Sequence, residues 1–191
     1  MSILIGLPYH PKKRYALDYV FDWVENQTYK DVEVVLRFHL GTFGEPDAVK
    51  TQREFMRKIA VERNHDYFYS MGTDTIPPLD ILERLLAHNK DVVGAVYRQR
   101  KDNDSPNVIA WRHNDPEQRF MQEEGPLVKV DGMGMDAVLF SRKAFTSFSW
   151  FDWGYPDDDY PVYDSLKGKN FEIWLDKTQV CKHYMTKEKF V

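Results

Sequence analysis

The sequence predicts a single α/β domain, 1–191, in which helices flank a mainly parallel central sheet. Over residues 1–98, short apolar runs alternate with stretches of helical periodicity, which is the pattern of successive βαβ units. With 191 residues, 42% of them hydrophobic and 29% charged, the chain can bury one substantial core. No internal repeat or linker divides the sequence, so we predict one domain.

The elements of the first half follow from periodicity and turn residues. Short apolar runs predict buried strands at 3–6, 32–37, 67–71 and 91–97. Apolar residues at helical spacing predict helices at 15–27, 48–63 and 78–88. The segment LPYHPKK consists largely of turn formers, so we expect the first strand to end before it.

The composition changes after Arg98, where the polar segment RQRKDNDSPN predicts a loop. Beyond this loop, strands are expected at 107–113, 126–130 and 135–140, followed by a short helix at 142–148. The aromatic and acidic segment FSWFDWGYPDDDY is expected to form a loop. It leads to a last pair of strands at 171–175 and 179–184.

Charge and composition exclude several classes of protein. A net charge of -4 argues against a general nucleic-acid-binding protein, which needs a basic face. Cys181 is the only cysteine, which is typical of a reducing compartment. The apolar start lacks the basic region of a signal peptide, and no apolar run approaches the length of about 20 residues that a membrane span needs. We therefore expect a cytoplasmic protein without an integral membrane segment.

Polar residues follow three of the predicted parallel strands. They are residues 8–10 after the first strand, 37–39 after the second and 72–74 after the third. In an open parallel sheet, ligands bind beyond the carboxyl ends of the strands. This edge is therefore a candidate site for a nucleotide or a phosphate.

Asp74 and His183 each have an ordinary structural alternative to a role in binding a metal. Asp74, or the better placed Thr75, could cap a helix that starts near Pro78, whereas a functional Asp74 would bind Mg²⁺ or Mn²⁺ on a diphosphate. His183 could be a satisfied core or surface histidine, or a metal ligand that favours Mn²⁺ over Mg²⁺. Cys181 is expected to be a buried thiol and not a ligand.

Acidic and basic residues elsewhere are open to the same two interpretations. The acids at 157–159 form either a solvated loop or a general base among aromatic side chains. Arg53 and Arg57 share one helix face, and at least one of them is expected to be solvated. The segment DGMGMD is typical of a tight turn where backbone approaches a ligand.

The order of these motifs resembles that of GT-A fold glycosyltransferases, particularly small members similar to family 2. Those enzymes carry, in order, a loop of the P-x-[YN] type, a D-x-D motif, a glycine-rich turn, an acidic E-D pair and a C-terminal histidine. The matching segments here are PYH, MGTDTIPP, DGMGMDAVLFSRKAF, DDDY and CKHY. The resemblance covers nearly the whole chain. It implies a nucleotide-binding half at 1–98 and an acceptor and catalytic half at 99–191.

The resemblance also assigns roles to individual residues. It implies transfer of a sugar from a nucleotide-diphosphate sugar to a glycan or glycoprotein acceptor, with Mn²⁺ or Mg²⁺ as cofactor. The metal ligands would be Asp74 and His183, and the catalytic acids Asp159, as base in inverting members, and Asp158. The remaining assignments are Pro8, Tyr9, Arg37, Arg53, Arg57 and Thr73 for the nucleotide, and Gly134, Met135 and Trp153 for the sugar or acceptor.

The chain departs from the family pattern at two positions. Gly72 replaces the first acid of D-x-D, and Arg37 stands where the family often has an aspartate that pairs with uracil. The short length fits a minimal, viral form of the fold, which would act in the host cytoplasm. Gly72 motivates an alternative function, a nucleotide-sugar or glycan binding protein that has lost catalysis. A nucleotidyltransferase is disfavoured because no G-x-G-T/S-R loop follows the first strand.

Overall fold

The structure is a computed structural model that describes residues 1–39, 46–99, 108–152, 159–184, 186 and 189, without the side chains of residues 46 and 47. The seven strands of the central sheet are β1 (Ile3–Tyr9), β2 (Val32–Phe38), β3 (Tyr67–Met71), β5 (Val92–Val96), β7 (Leu127–Val130), β9 (Ala137–Ser141) and β10 (Ile173–Val180). Four short strands lie outside it, namely β4 (Thr75–Ile76), β6 (Ala110–Trp111), β8 (Gly132–Met133) and β11 (Lys182–His183).

The strand order in the central sheet is β2-β1-β3-β9-β5-β10-β7. Strands β1, β2, β3, β5 and β10 run in one direction, whereas β7 and β9 run in the other. The prediction of an α/β domain with a mainly parallel sheet is therefore confirmed. Because β9 is antiparallel, its first residues lie at the same edge of the sheet as the carboxyl ends of β3 and β5.

Helices cover both faces of the sheet. They are α1 (Leu17–Asn26), α2 (Pro46–Glu62), α3 (Ile81–Ala87), α4 (Arg142–Phe145) and α5 (Tyr160–Gly168), with short 3-10 helices at Pro11–Ala16 and Arg119–Gln122. Residues of α1 and α3 belong to one buried cluster, and residues of α2, α4 and α5 to the other. No helix in the described part of the chain is long and apolar enough to cross a membrane.

Two predicted boundaries in the first half of the chain were wrong by three residues. Strand β1 continues to Tyr9, because beyond Gly6 it pairs with β2 alone and can accommodate Pro8. Helix α3 begins at Ile81 and not near Pro78, because Pro78–Ile81 form a turn in which the N–H of Ile81 donates to the carbonyl of Pro78.

The predicted final pair of strands is one continuous strand, β10, followed by the short β11. The polar residues Asp176–Thr178, which resemble a turn, instead form an irregularity within β10. There the carboxylate of Asp176 accepts hydrogen bonds from the backbone N–H and the hydroxyl of Thr178, and the pairing register with β5 shifts.

Candidate active site and metal centre

Asp74 and His183 are brought together by a short two-stranded ribbon. Asp74 lies in the turn between β3 and β4, and β4 pairs with β11, in which His183 stands opposite Thr75. The backbone N–H of Tyr184 donates to the carbonyl of Asp74 at 2.7 Å. As a result, Nε2 of His183 lies 3.9 Å from Oδ2 of Asp74, and both side chains are buried.

The orientation of His183 turns one ring nitrogen towards the acids of the site. Its Nδ1 lies 2.8 Å from the backbone carbonyl of Arg98. A carbonyl oxygen only accepts hydrogen bonds, so Nδ1 carries a proton and Nε2 is the nitrogen that faces Asp74. A histidine fixed in this way by a second partner is the usual arrangement of a metal-binding imidazole.

Asp136, at the start of β9, supplies a third ligand group. Strand β9 pairs with β3, and the N–H of Gly72 donates to the carbonyl of Asp136 at 3.1 Å. A Cβ atom at position 72 would lie 2.4 Å from Cγ of Asp136 and 2.7 Å from each of its carboxylate oxygens. The Asp136 carboxylate therefore occupies the space beside Gly72, where the first acid of a D-x-D motif would project.

Asp74, Asp136 and His183 together fit a divalent cation. Each offers one ligand atom, and these atoms lie within 4.8 Å of one another. Carboxylate oxygens suit both Mg²⁺ and Mn²⁺, and the imidazole shifts the preference towards Mn²⁺. The alternative role of Asp74 or Thr75 as a helix cap is not observed, because α3 begins only at Ile81 and Thr75 belongs to β4.

Two cationic side chains already contact the acids of the site. Nζ of Lys13 lies 2.9 Å from Oδ1 of Asp74. Arg53 contacts Oδ1 of Asp136 at 2.6 Å through one terminal nitrogen and Oδ1 of Asp159 at 3.6 Å through the other. With a neutral His183, three acids and two cations leave a formal charge of -1, so a divalent cation would make the site positive and attractive to a diphosphate.

The pocket above this cluster has a volume of about 330 Å³. Its lining comes from the polar residues Lys13, Arg53, Tyr97, Gln99, Asp136, Asp159 and His183 and from the apolar residues Val49, Ile109 and Met135. A pocket of this size lies at the lower end of the range for small-molecule sites, about 300–1,000 Å³.

Tyr97 forms a neutral polar wall of this pocket. Its hydroxyl accepts a hydrogen bond from the N–H of Asp136 at 3.2 Å, and its ring meets the ring of His183 edge-on. Burial, together with the nearby carboxylates of Asp136 and Asp159, raises the pKa of Tyr97 well above its usual value. The hydroxyl therefore keeps its proton and can donate to a ligand or a carboxylate.

Several other predicted site residues lie elsewhere. Pro8, Tyr9 and Thr73 are buried and do not line the pocket; the Thr73 hydroxyl donates to the carbonyl of Pro8, and the Tyr9 ring packs edge-on against Phe38. Arg37 is exposed and stacks on the ring of Phe55 at 4.2 Å. These contacts account for the positions of the four residues without a ligand.

The two arginines of α2 differ in their surroundings. Arg57 makes a two-pronged ion pair with Glu54 and donates to the carbonyl of Phe145, so it ties α2 to α4. Arg53 contacts the acids of the pocket. The expectation that at least one of the two is solvated was wrong, because both are buried between the sheet and its loops.

The residues of the sugar and acceptor prediction are partly described. Met135 lines the pocket, whereas Gly134 leaves room for the hydroxyl of Tyr97, which a Cβ at that position would meet at 1.8 Å. Asp158 and Trp153 lie outside the described residues. Asp159 precedes α5 but makes no side-chain cap, and its carboxylate turns instead towards Arg53.

Cys181 is a buried thiol, as expected from the sequence, and it is not part of the group of possible metal ligands. Burial, with a smaller contribution from the charge of Asp136, raises its pKa. The thiolate is therefore strongly disfavoured, and the sulfur packs with the apolar side chains between α1, α3 and the sheet.

Sequence reasoning missed Asp136, Lys13 and Tyr97 as site residues. The absence of an acid at position 72 was a usable indication for Asp136. This acid ends the GMGMD turn, two residues after Gly134, and was available to replace the missing one. Lys13 and Tyr97 gave no such indication. Lys13 follows β1 and Tyr97 follows β5, and only the three-dimensional fold brings these two segments to the same pocket.

A mixed seven-stranded sheet with a pocket at the carboxyl ends of its parallel strands agrees with the predicted GT-A fold. The chain is similar to A197 from STIV, with a TM-score of 0.69 and 17% identity over 98% of this chain and 87% of that chain. It is also similar to GalNAc-T7, solved with UDP, GalNAc and Mn²⁺, with a TM-score of 0.56 and 9% identity over 97% of this chain.

A mycobacterial protein matches with a TM-score of 0.54 and 13% identity, over 96% of this chain and 67% of that chain. The present chain spans only 44% of GalNAc-T7. No protein-family model and no curated protein sequence matches the chain significantly. At these identities the likeness concerns the fold, and the predicted GT-A fold is confirmed.

Proposed function

We propose that this protein is a metal-assisted glycosyltransferase that moves a sugar from a nucleotide-diphosphate sugar to an acceptor hydroxyl. The observation that carries the proposal is the convergence of Asp74, Asp136 and His183 beside a pocket of a GT-A fold. The Mn²⁺ and UDP in the structure of GalNAc-T7, whose fold is similar, support the same class of donor and cofactor.

The buried acids would hold the metal, and the cations around them would bind the donor. A divalent ion held by Asp74, Asp136 and His183 would neutralise charge on the diphosphate leaving group. Lys13 and Arg53 line the same pocket and would donate to phosphate oxygens that the ion leaves exposed. Arg37, exposed near the end of β2, offers no carboxylate to pair with uracil, so we infer no preference for uridine.

Asp159 is the best placed general base of the described residues. Its carboxylate lines the pocket, is partly exposed and is oriented by Arg53. It would accept the proton of the acceptor hydroxyl if the reaction inverts the anomeric centre, a contribution of about 10²–10⁴ in rate. The acceptor would be a glycan or a glycoprotein.

Turnover of a panel of nucleotide sugars tests the proposal. The protein would be incubated with UDP-, GDP- and TDP-sugars and Mn²⁺, with and without glycan acceptors, and release of nucleoside diphosphate would be measured. We expect release that EDTA abolishes and that Asp74→Asn lowers by more than about tenfold. If the folded protein turns over none of the donors with any acceptor, it is not a glycosyltransferase of this class.

The contact between Lys13 and Asp74 keeps a second function open, a nucleotide-sugar binding protein without catalysis. A lysine against the central acid could replace the charge of a metal and bind the diphosphate alone. Calorimetry distinguishes the two functions. Donor binding that is indifferent to Mn²⁺ and to Asp74→Ala supports the binding protein, whereas binding that needs both supports the enzyme.

A further inference from the structure

A second pocket, of about 360 Å³, adjoins the metal-side pocket. The two share Gln99, Ile109 and Asp159 in their walls. The second pocket is completed by Val108, Ala110, Trp111, Gln118 and Tyr160. The carboxylate proposed as general base therefore faces two adjacent spaces, and only the first of them contains the possible metal ligands.

An aromatic pair forms one wall of the second pocket. The rings of Trp111 and Tyr160 stack with centroids 4.5 Å apart and planes 30° apart. The Trp111 ring packs edge-on against Tyr163 and also contacts Gly132, where a Cβ atom would clash with it. Tyr160 remains 42% exposed at the start of α5. Because one face of Tyr160 is stacked on Trp111, the exposed side of Tyr160 offers an apolar surface next to Asp159.

The remaining lining is neutral. The side-chain amide of Gln118 donates to the carbonyls of Val108 and Ala110 and accepts from the N–H of Val108, so it fixes the backbone of this wall. Among the described lining residues, none is cationic and Asp159 is the only acid. From these described residues a phosphorylated or carboxylated ligand would gain no counter-charge, whereas a neutral ring with hydroxyl groups would meet an apolar face and a carboxylate.

We propose that this second pocket is the acceptor subsite and that it binds a neutral sugar ring against Tyr160 and Trp111. The inference rests on the proposed function. The hydroxyl of this sugar loses its proton to Asp159 as its oxygen bonds to the anomeric carbon of the donor sugar. The bond from that carbon to the diphosphate breaks at the same time, and the nucleoside diphosphate leaves with the electron pair.

Saturation-transfer NMR on the intact protein tests the subsite without requiring turnover. The probes are methyl glycosides of neutral hexoses and N-acetylhexosamines, a hexose 6-phosphate, and a peptide that contains Ser and Thr. We expect binding of at least one neutral glycoside, little binding of the phosphate, and affinity about tenfold lower in Tyr160→Ala. The matched control is Phe21→Ala, which removes another exposed aromatic ring, on α1 and away from both pockets.

The outcomes separate the subsite from the proposed function. Binding of no neutral glycoside, equal binding by wild type and Tyr160→Ala, or binding of the peptide alone overturns the subsite even if the protein hydrolyses donors. Conversely, binding of neutral glycosides that depends on Tyr160, in a protein that turns over no donor, overturns the enzyme and leaves a glycan-binding pocket. The unfolding midpoints of both variants should lie near that of wild type. A loss of glycoside affinity in Tyr160→Ala then reports the loss of the ring and not a loss of the fold.

Discussion

The carboxylate of Asp136 occupies the space that a side chain at Gly72 would fill. A Cβ on Gly72 would lie 2.4 Å from Cγ of Asp136, and the two backbones are joined by a hydrogen bond of 3.1 Å. We propose that Asp136, in the segment just before β9, takes the place of the missing first acid of the D-x-D pattern. Gly72 is then required by the packing of Asp136 and is not evidence of a lost function.

The exchange of these two residues is a direct test. Asp136→Ala should weaken Mn²⁺ binding by more than about tenfold, since it removes a ligand and not merely an outer partner. Gly72→Asp alone should destabilise the protein, because the new carboxylate enters occupied space. In the double variant Gly72→Asp/Asp136→Gly, the carboxyl carbon of the side chain introduced at position 72 lies one C–C bond, about 1.5 Å, from its Cβ. This places the new carboxylate near the position that Cγ of Asp136 occupies in the wild type.

The double variant should therefore recover the Mn²⁺ affinity that Asp136→Ala lacks and the stability that Gly72→Asp lacks, as measured by calorimetry or electron paramagnetic resonance and by unfolding. Asp18→Ala, at an exposed acid of α1, controls for the loss of one negative charge. Equal Mn²⁺ affinity in wild type and a folded Asp136→Ala would remove Asp136 from the ligand set.

Lys13 should compete with the metal for Asp74. Its ammonium group lies 2.9 Å from Oδ1 of Asp74, so a cation at this acid has to displace it or share the carboxylate. We expect Lys13→Met to bind Mn²⁺ up to about tenfold more tightly and nucleoside diphosphates more weakly. Lys12→Met, at the exposed neighbouring lysine, should change neither affinity. If Lys13→Met changed the affinities for Mn²⁺ and for nucleoside diphosphates in the same direction, Lys13 would not compete with the metal for Asp74.

Asp159→Asn should abolish sugar transfer and leave donor affinity within about tenfold of wild type, or about 1.4 kcal/mol. The amide cannot take a proton from the acceptor, whereas its size preserves the wall between the two pockets. The measurement is transfer to an acceptor beside calorimetric binding of the donor. Turnover similar to wild type would exclude Asp159 as the base.

The sequence predicted the fold more completely than the site. Strands such as Tyr67–Met71 were recovered because a short, aromatic-rich apolar run bounded by turns favours a strand over a helix. The continuous β10 was missed because Asp176 and Thr178 resemble a turn, whereas their mutual hydrogen bonds are made within a strand.

Local patterns indicated Asp74 and His183 but not what lies beside them. Asp74 follows a buried strand and His183 a terminal one, so sheet topology places both at the same edge. The contribution of Asp136 depends on the antiparallel register of β3 and β9, in which Met71 stands opposite Ala137. No periodicity within either segment specifies that register, and only the glycine at position 72 indicates that another group fills the space.

Asp176, away from the metal cluster, should make stability depend on acid pH. Burial acts to raise its pKa, but hydrogen bonds from Thr178 and His88 outweigh burial and hold the pKa below the ordinary 3.8. The native state thus favours the carboxylate. The stabilisation from this carboxylate is full above pH 3.8 and is lost as the pH falls through the native pKa.

Asp176→Asn should lower the free energy of unfolding by about 2–3 kcal/mol at pH near 5. In urea titrations the deficit should shrink towards pH about 3, whereas Asp22→Asn, at an exposed acid, should show little deficit at either pH. A deficit for Asp176→Asn that stays constant across this range would mean that the ionised carboxylate is not what Thr178 and His88 stabilise.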